Sequence, residues 1–528
     1  MTADAEPIAA ARTRVGALRA GVEQLEGAPV RLIETHISWV LLGRDLVWKL
    51  EKPLALPFLD FSTPALRRRF CEEELRLNLR LAPQFYLDVV DVREGPTGPA
   101  FGGAGIVVDA ALRMRRFPDG ALWSEQLSAG TLEARHVNDM ACRLAEFHRG
   151  AAIAPAESQY GSFNAHEGIT GRLVDSIDAW QAGLVNPNGA WPALRTWLSR
   201  ELQTLPPLWE ERRRAGRIRE CHGDLHLDNV IQLEQGAVAF DAIEFDPALR
   251  WIDVLEDVAF LVMDLLAHRR RDLAFNLLNV WLAEDGDYAG LPTLRFFLVS
   301  RALVRAVVAT IREGQGVSPA GLCGAGDYLR IATEISQGGA ARLAITHGLP
   351  GSGKTFVSHV LLEAVGAIRV RSDVERKRLF GLAQLESSGG LSDGVIYDAA
   401  AGMRTYERLL EVARLSLTSG WPVVVDAAFL HQAERARFAS LANELNAPFS
   451  IIDCQAPRHL LRERIVHRQA SGIDASEADF TVLERLEGVV EPLNSEEQAR
   501  TIVVEAGQPF DPEALVLRWL AIARSTAT

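Results

Sequence analysis

A glycine-rich octapeptide placed between a strand and a helix constrains this chain more than any other feature of its sequence. Residues 348–355 read Gly-Leu-Pro-Gly-Ser-Gly-Lys-Thr, after an apolar strand pattern at 343–346 and before a helical pattern at 355–364. Glycines at such positions let backbone N–H groups curl around phosphate groups at a helix N-terminus. This order of strand, loop and helix predicts a parallel α/β sheet with a phosphate-binding loop.

The octapeptide matches the whole Walker A pattern of nucleotide-binding P-loops. In such a loop the lysine bridges the terminal phosphates and the hydroxyl that follows it ligates magnesium. We therefore predict ATP and Mg²⁺ as cofactors, and the alternative is a glycine-rich turn that binds no nucleotide. The predicted ligands of the nucleotide and its metal are Gly348, Gly351, Ser352, Gly353, Lys354 and Thr355.

Three further groups of polar residues follow the P-loop. Asp373 comes just after the second apolar strand with Arg376 one helical turn later, and Asp426 ends the strand 423–426, where it suits a magnesium site. Arg464 and Arg468 share one face of a predicted helix, where a phosphate-gripping lid would lie. A helix-capping aspartate and a solvated basic face are the alternatives.

Together these elements resemble the P-loop kinases that include zeta toxins and polynucleotide 5′-kinases, over about residues 342 to 500. In that family an Asp-x-x-Arg pair after the second strand serves the acceptor hydroxyl. The resemblance thus implies catalytic roles for Asp373 and Arg376.

A second catalytic pattern lies in the first half of the chain. His222-Gly-Asp224-Leu-His-Leu-Asp-Asn229 places an aspartate and an asparagine five residues apart in a polar loop, and Asp241 follows the next apolar stretch. Phosphoryl transfer from ATP needs a carboxylate to orient the attacking hydroxyl and oxygen ligands to hold magnesium. Asp224 can fill the first role, and Asn229 with Asp241 the second. The alternative is a hydrogen-bonded turn without catalytic function.

This spacing is that of protein-kinase catalytic loops, and glycine after the histidine resembles the aminoglycoside phosphotransferase-like branch, over about residues 30 to 335. The resemblance implies that Lys49 contacts the α- and β-phosphates and pairs with a glutamate of the next helix. We prefer Glu74 to Glu73, because Glu74 lies on the apolar stripe of that helix. No Gly-x-Gly-x-x-Gly loop precedes Lys49; residues 35–38, Thr-His-Ile-Ser, stand in its place.

The predicted fold class is therefore α/β and α+β, a bilobal protein-kinase-like domain followed by a P-loop NTPase domain with a parallel sheet. We predict the first domain at 1–337, with a small lobe at about 25–117 and a helical lobe at about 118–337, and the second at 338–528. A Ser-Gln-Gly-Gly-Ala break after residue 335 marks the boundary.

Charge and composition narrow the functional classes. The net charge of −13 disfavours broad nucleic-acid or anionic-membrane binding, and we expect a cytoplasmic protein with no membrane association. Only four of the 56 basic residues are lysines, and two of these four, Lys49 and Lys354, fall in the two ATP-site motifs. A compact ammonium differs from a planar guanidinium at a phosphate, which favours a functional reason for these lysines over codon bias.

These observations lead to a bifunctional ATP-dependent phosphotransferase that acts on hydroxyl groups of small molecules at two separate sites. An ATP-sensing regulatory protein without productive transfer is one alternative. A nucleic-acid 5′-hydroxyl kinase in the second domain is another, which the net charge disfavours. The sequence leaves the acceptors and the oligomeric state open.

Overall fold

The computed structural model describes residues 8–56, 59–183, 189–314, 323–339, 341–388, 396, 398–471 and 475–522. The chain forms two compact units, of which the first contains Met1–Met140, Phe147–Gly168 and Trp209–Leu261. The second contains Ala141–Glu146, Ile169–Leu208 and Val262–Thr528. The domain boundary predicted at residue 338 lies inside the second unit and, as a boundary along the sequence, stays a prediction.

The chain begins with a helix, a mixed set of short strands and a second helix. The elements are α1 (Ile8–Glu26), β1 (Arg31–Glu34), β2 (Ser38–Leu42), β3 (Leu46–Glu51), β4 (Ala55–Leu56), β5 (Leu59–Asp60), α2 (Pro64–Asn78), β6 (Tyr86–Gly95), β7 (Gly98–Phe101) and β8 (Ile106–Arg115). The strands predicted around residues 30–49 and 102–114 and the helix predicted after Pro64 are confirmed. The helix α1 was not predicted.

Six of these strands form one antiparallel sheet in the order β1-β2-β3-β8-β6-β7. The apolar stripe of α1 packs on one face of it, where Val15 and Leu18 join Trp39 and Leu50 in a buried cluster. Helix α2 begins at Pro64 with Thr63 as its N-cap, as expected for proline in a first turn. The sheet and α2 together position Lys49 of β3 and Glu74 of α2.

The helical region that follows contains one small β-hairpin, β10–β11, and a separate antiparallel pair, β9 with β12. Its elements are α3 (Trp123–Ala129), α4 (Ala134–Gly150), α5 (Phe163–Ala182), α6 (Trp191–Thr204), α7 (Pro206–Arg214), β9 (Ile218–Glu220), β10 (Val230–Leu233), β11 (Gly236–Ala239), α8 (Pro247–Arg250), β12 (Trp251–Asp253), α9 (Val254–Ala267), α10 (Arg271–Asp285), α11 (Leu291–Gly314) and α12 (Ala325–Gln337). Strands β9 and β10 bracket the predicted catalytic loop. None of the described helices is long and apolar enough to cross a membrane.

The last part of the chain has the strand–helix alternation that the P-loop predicted. Its elements are β13 (Leu343–His347), α13 (Lys354–Val365), β14 (Ile368–Arg371), α14 (Ser372–Leu379), α15 (Ala399–Thr418), β15 (Val423–Asp426), α16 (Gln432–Glu444), β16 (Phe449–Gln455), α17 (Arg458–Ser471), α18 (Phe480–Glu487), α19 (Ser495–Gln498), β17 (Thr501–Glu505) and α20 (Pro512–Ala521). The five strands are parallel in the order β14-β15-β13-β16-β17. The predicted fold class is confirmed.

Helices α10 and α11 belong to the same compact unit as this parallel sheet. The buried Asn279 of α10 accepts a hydrogen bond from the backbone N–H of Arg369 at 2.6 Å and donates to the carbonyl of Ala367 at 2.9 Å. Arg295 of α11 donates to the carbonyls of Ser419 and Gly420 at 3.1 and 2.7 Å. Side chains of the region before residue 338 therefore complete hydrogen bonds of β14 and of the turn before β15.

Candidate functional sites

The first site is organised around the ammonium group of Lys49. Its Nζ lies 2.9 Å from Glu74 Oε1 and 2.9 Å from Asp241 Oδ1, so it joins β3, α2 and the loop after β11. Glu73 points elsewhere and pairs with Arg76 and Arg250 at 2.8 and 2.6 Å. The structure thus pairs Lys49 with the preferred glutamate. Burial lowers the pKa of Lys49, but the carboxylates around it outweigh this effect and raise that pKa well above its ordinary value.

The catalytic loop brings Asp224 and Asn229 together. The Asn229 side-chain amide donates to the Asp224 carbonyl at 2.9 Å and to its carboxylate at 3.2 Å. The backbone N–H of Phe240 donates to the Asn229 carbonyl at 3.0 Å, because β10 and β11 pair just beyond these residues. Asp241, the residue after Phe240, therefore lies beside the loop, with 43% of its side chain exposed.

A buried aspartate that sequence analysis missed is hydrogen-bonded to the backbone of this loop. The Asp257 carboxylate on α9 accepts hydrogen bonds from the backbone N–H groups of His222 at 3.1 Å and Gly223 at 2.9 Å. The His148 ring lies 3.1 Å from the same carboxylate. Burial raises the pKa of Asp257, but these hydrogen bonds and the charge of His148 outweigh it and lower that pKa to about 2. Asp257 anchors the loop as a charged carboxylate.

Residues 35–38, which stand in place of a glycine-rich loop, form a turn between β1 and β2 that side chains hold by hydrogen bonds. The Thr35 hydroxyl accepts from the Ser38 backbone N–H at 2.9 Å. Lys52 donates from Nζ to the Thr35 carbonyl at 2.5 Å and lies 2.9 Å from Glu34 Oε1. Lys52, whose role the sequence left open, therefore holds the turn in place.

The side-chain oxygen atoms of this site fit a magnesium ion as ligands. Asp241 uses Oδ1 for Lys49, and Asn229 directs its amide nitrogen to Asp224, which leaves oxygens of both side chains for another partner. Carboxylate and amide oxygens are ligands for hard divalent cations. The roles of Asn229 and Asp241 as metal ligands stay predictions.

The second site is the P-loop between β13 and α13. Gly348 has a φ of 137°, and a Cβ atom there would lie 2.4 Å from the Cys454 carbonyl oxygen, so only glycine fits. Lys354 at the start of α13 donates from Nζ to the carbonyls of Gly348 and Leu349, both at 2.9 Å. Burial lowers the pKa of Lys354. Its ammonium thus binds two backbone carbonyls of the loop itself.

The carboxylates predicted after the P-loop converge on it. Asp373, in the first turn of α14, accepts a hydrogen bond from Arg376 at 3.1 Å. Asp426, at the end of β15, accepts from the Ser358 hydroxyl of α13 at 3.3 Å and lies 3.7 Å from Arg371. Asp426 and the Thr355 hydroxyl offer oxygens at the loop, as a magnesium site requires.

A cavity of about 960 Å³ is lined by all of the predicted residues of this second site except Gly348. Its walls include the loop residues from Gly351 to Thr355 together with Asp373, Arg376, Asp426, Arg464 and Arg468. Arg464 donates to the Gly351 carbonyl at 3.0 Å, whereas Arg468 donates to the Ala478 carbonyl at 2.7 Å. Gly348 lies behind the wall, and its spatial role is the close packing described above.

Sequence analysis missed several residues of the cavity wall. Arg371, Tyr406, His431, Glu434, Arg437 and Arg485 also face it. Arg371 ends β14, two positions before Asp373. Its place beside a predicted site residue was therefore a sequence signal that could have identified it. The others lie far from any motif, and only the fold brings them to the site.

Comparisons with known proteins match the second part of the chain to a family model and most of its length to relatives. The family described as "AAA domain" matches residues 343–493. "Uncharacterized protein Rv2004c" of Mycobacterium tuberculosis (strain ATCC 25618 / H37Rv) is 31% identical over 448 residues, 84% of this chain and 87% of the relative. "Uncharacterized protein Mb2027c" of Mycobacterium bovis has the same identity and coverage.

Two solved structures are similar to parts of this chain. A choline/ethanolamine kinase family protein from Mesorhizobium loti is 12% identical and covers 61% of this chain and 94% of its own, with a TM-score of 0.36. A gluconokinase from Sinorhizobium meliloti 1021 is 22% identical and covers 35% of this chain and 91% of its own, with a TM-score of 0.24.

Proposed function

Because this chain belongs to the family of Rv2004c, with a protein-kinase-like domain before a P-loop kinase domain, we propose that it is a bifunctional ATP-dependent phosphotransferase. Each site would transfer the γ-phosphoryl group of ATP to a hydroxyl group of a small molecule. The observation that carries the proposal is Lys49, which contacts Glu74 and Asp241 beside a complete catalytic loop. The P-loop cavity supports a second, separate site.

At the first site Asp224 orients the acceptor hydroxyl and takes its proton while the phosphorus–oxygen bond to ADP breaks. Asn229 and Asp241 would hold Mg²⁺, which neutralises charge on the phosphates. Lys49 binds the α- and β-phosphates, and Glu74 keeps its ammonium in position. The products are ADP and the phosphorylated acceptor.

At the second site Lys354 exchanges its two loop carbonyls for the terminal phosphates of ATP. Thr355 and Asp426 would hold Mg²⁺, and Arg464 and Arg468 close over the phosphates as a lid. Asp373 serves the acceptor hydroxyl as its base. Arg376 donates a hydrogen bond to Asp373 at 3.1 Å and orients that carboxylate.

The acceptors are small molecules rather than nucleic acids under this proposal. The net charge of −13 repels a polyanion at long range and favours the approach of neutral or cationic acceptors. Neutral sugars and cationic aminoglycosides have the hydroxyl groups that this chemistry needs.

Transfer of labelled phosphate from ATP to a panel of aminoglycosides, sugars and 5′-hydroxyl oligonucleotides tests the proposal. Asp224→Ala should retain ATP binding and lose transfer to one set of acceptors, since it removes a role in the transition state. Asp373→Ala should lose transfer to the other set in the same way, whereas Lys354→Ala should lose nucleotide binding at the second site.

Each variant tests one site in the presence of the other. Unchanged transfer by Asp224→Ala and Asp373→Ala together would refute both acceptor assignments. ATP binding without transfer to any acceptor would favour an ATP-sensing protein. Transfer to oligonucleotides alone would favour a 5′-hydroxyl kinase.

A further inference from the structure

Three buried glutamates lie close to one another and to Lys49. Glu51 is two residues after Lys49 on β3, so the two side chains share one face of the strand. Glu74 comes from α2, and Glu244 follows Asp241 by three positions. One carboxylate oxygen of each glutamate lies within 4.8 Å of the others, and their exposed fractions are 1%, 1% and 5%. Three separate parts of the first unit thus bring carboxylates to one buried point.

The cationic groups of the surroundings do not balance these carboxylates. Lys49 Nζ is shared between Glu74 and Asp241 at 2.9 Å each and lies 3.9 Å from Glu51. Arg67, a buried cation on the same helix as Glu74, is paired with Asp109 at 2.6 Å. Four carboxylates, those of Glu51, Glu74, Glu244 and Asp241, therefore face one ammonium group. Buried charges without a counter-charge are strongly destabilising.

The free oxygens of the cluster are a separate indication of a missing partner. Among the described residues, neither carboxylate oxygen of Glu51 has a hydrogen-bond partner, and neither does Oε2 of Glu74 or Oε1 of Glu244. Buried polar atoms are nearly always hydrogen-bonded or bound to a metal. Oε1 of Glu74 contacts Lys49, so its Oε2 can serve another cation without breaking that ion pair.

We propose that Glu51, Glu74 and Glu244 bind one hard divalent cation, of the class of Mg²⁺ and Mn²⁺, as a structural ion distinct from the metal carried by ATP. Three carboxylates supply only oxygen ligands, which these cations prefer. The ion would join β3, α2 and the segment after Asp241. Asn229 and the exposed face of Asp241 stay available for the nucleotide's metal.

The electrostatics of the empty cluster support this assignment. Burial raises the pKa of Glu51 to about 8 and that of Glu244 to about 8. Lys49 opposes this rise but does not cancel it. Without a cation these carboxyls take up protons, so proton uptake is the competing explanation of the cluster.

Binding of Mn²⁺ to the full chain without nucleotide, followed by electron paramagnetic resonance, tests the site directly. We expect the wild-type protein to bind one Mn²⁺ that Glu51→Gln and Glu244→Gln each lose. Glu73→Gln, the same substitution on the solvent side of α2, is the matched control and should retain this ion. Asp241→Asn should also retain it, which separates the site from the nucleotide's metal.

Thermal unfolding gives a second readout that does not depend on activity. Without the ion a protonated Glu51 is as neutral as a glutamine, so Glu51→Gln and the wild type should unfold at about the same temperature in the presence of a chelator. With Mn²⁺ the wild type should unfold at the higher temperature, because the ion stabilises only the chain that binds it.

Three results would overturn the proposal. The first is a wild-type protein that binds no Mn²⁺ without nucleotide and shows the infrared absorption of protonated carboxyl groups. The second is an equal number of bound Mn²⁺ ions in the wild type, Glu51→Gln and Glu244→Gln. The third is a Glu51→Gln protein that is less stable than the wild type with and without the ion.

Discussion

The buried Asp257 carboxylate gives the sharpest quantitative prediction, because its partners and its pKa are both defined. In the wild type the backbone N–H groups of His222 and Gly223 donate to different oxygens of the Asp257 carboxylate. Asp257→Asn removes the charge and leaves a single acceptor oxygen for both. One buried N–H then loses its partner, at a cost of about 1–3 kcal/mol. The variant should keep its fold and loosen the catalytic loop.

The pKa gives an independent magnitude. A change from the ordinary 3.8 to about 2 on folding corresponds to about 2.4 kcal/mol, at about 1.36 kcal/mol per pKa unit. Because the folded state has the lower pKa, this stabilisation is fully present above pH 3.8 and is lost as the pH falls through about 2. At pH 3 about 1 kcal/mol of it should be gone.

Hydrogen exchange followed by mass spectrometry measures the effect where it arises. In Asp257→Asn the peptide with His222 and Gly223 should exchange about 30-fold faster or more, equivalent to about 2 kcal/mol or more of opening free energy. Asp246→Asn is the matched control, since Asp246 caps α8 at the surface and asparagine caps equally well. A change below about threefold, or about 0.6 kcal/mol, would refute the anchoring role.

Three further substitutions test other parts of the structure. Gly348→Ala should abolish ATP binding at the second site, because its Cβ would meet the Cys454 carbonyl, whereas Gly326→Ala on α12 has open space away from the cavity and should bind ATP normally in equilibrium dialysis. Lys52→Met should raise the KM for ATP at the first site, measured in a Lys354→Ala background, because the turn at Thr35 loses its tie. Asn279→Leu should lower the unfolding temperature of the second unit in calorimetry, at a cost of about 2–4 kcal/mol, since two backbone groups next to β14 lose their partner.

The motifs that sequence analysis recognised are those whose chemistry is local. The P-loop needs consecutive residues, and the catalytic loop needs Asp224 and Asn229 five residues apart, so both were visible without a fold. The predicted order of a protein-kinase-like fold followed by a P-loop fold with a parallel sheet is confirmed. The choice of Glu74 over Glu73 also came from local information, because helical spacing separates the buried face of α2 from its exposed face.

The residues that were missed depend on contacts between distant segments. Asp257 meets His148 across 109 positions, and the sequence shows neither this partner nor the loop N–H groups that Asp257 binds. Glu51 and Glu244 would be expected at the surface from their residue type alone, yet they are buried. The roles of the individual site residues remain predictions for the variants above to test.

The contact between Asn279 and the first part of β14 has a consequence for how the C-terminal half can be handled alone. β14 is the edge strand of the parallel sheet, and the Asn279 amide occupies backbone groups that an edge strand would otherwise expose. A fragment that begins at residue 338 lacks this cover and presents an unpaired edge, which is a template for pairing with a second copy. Oligomers or aggregates of such a fragment would then result from the loss of α10. In a chain that retains α10, Asn279 covers the edge of β14 and opposes self-association.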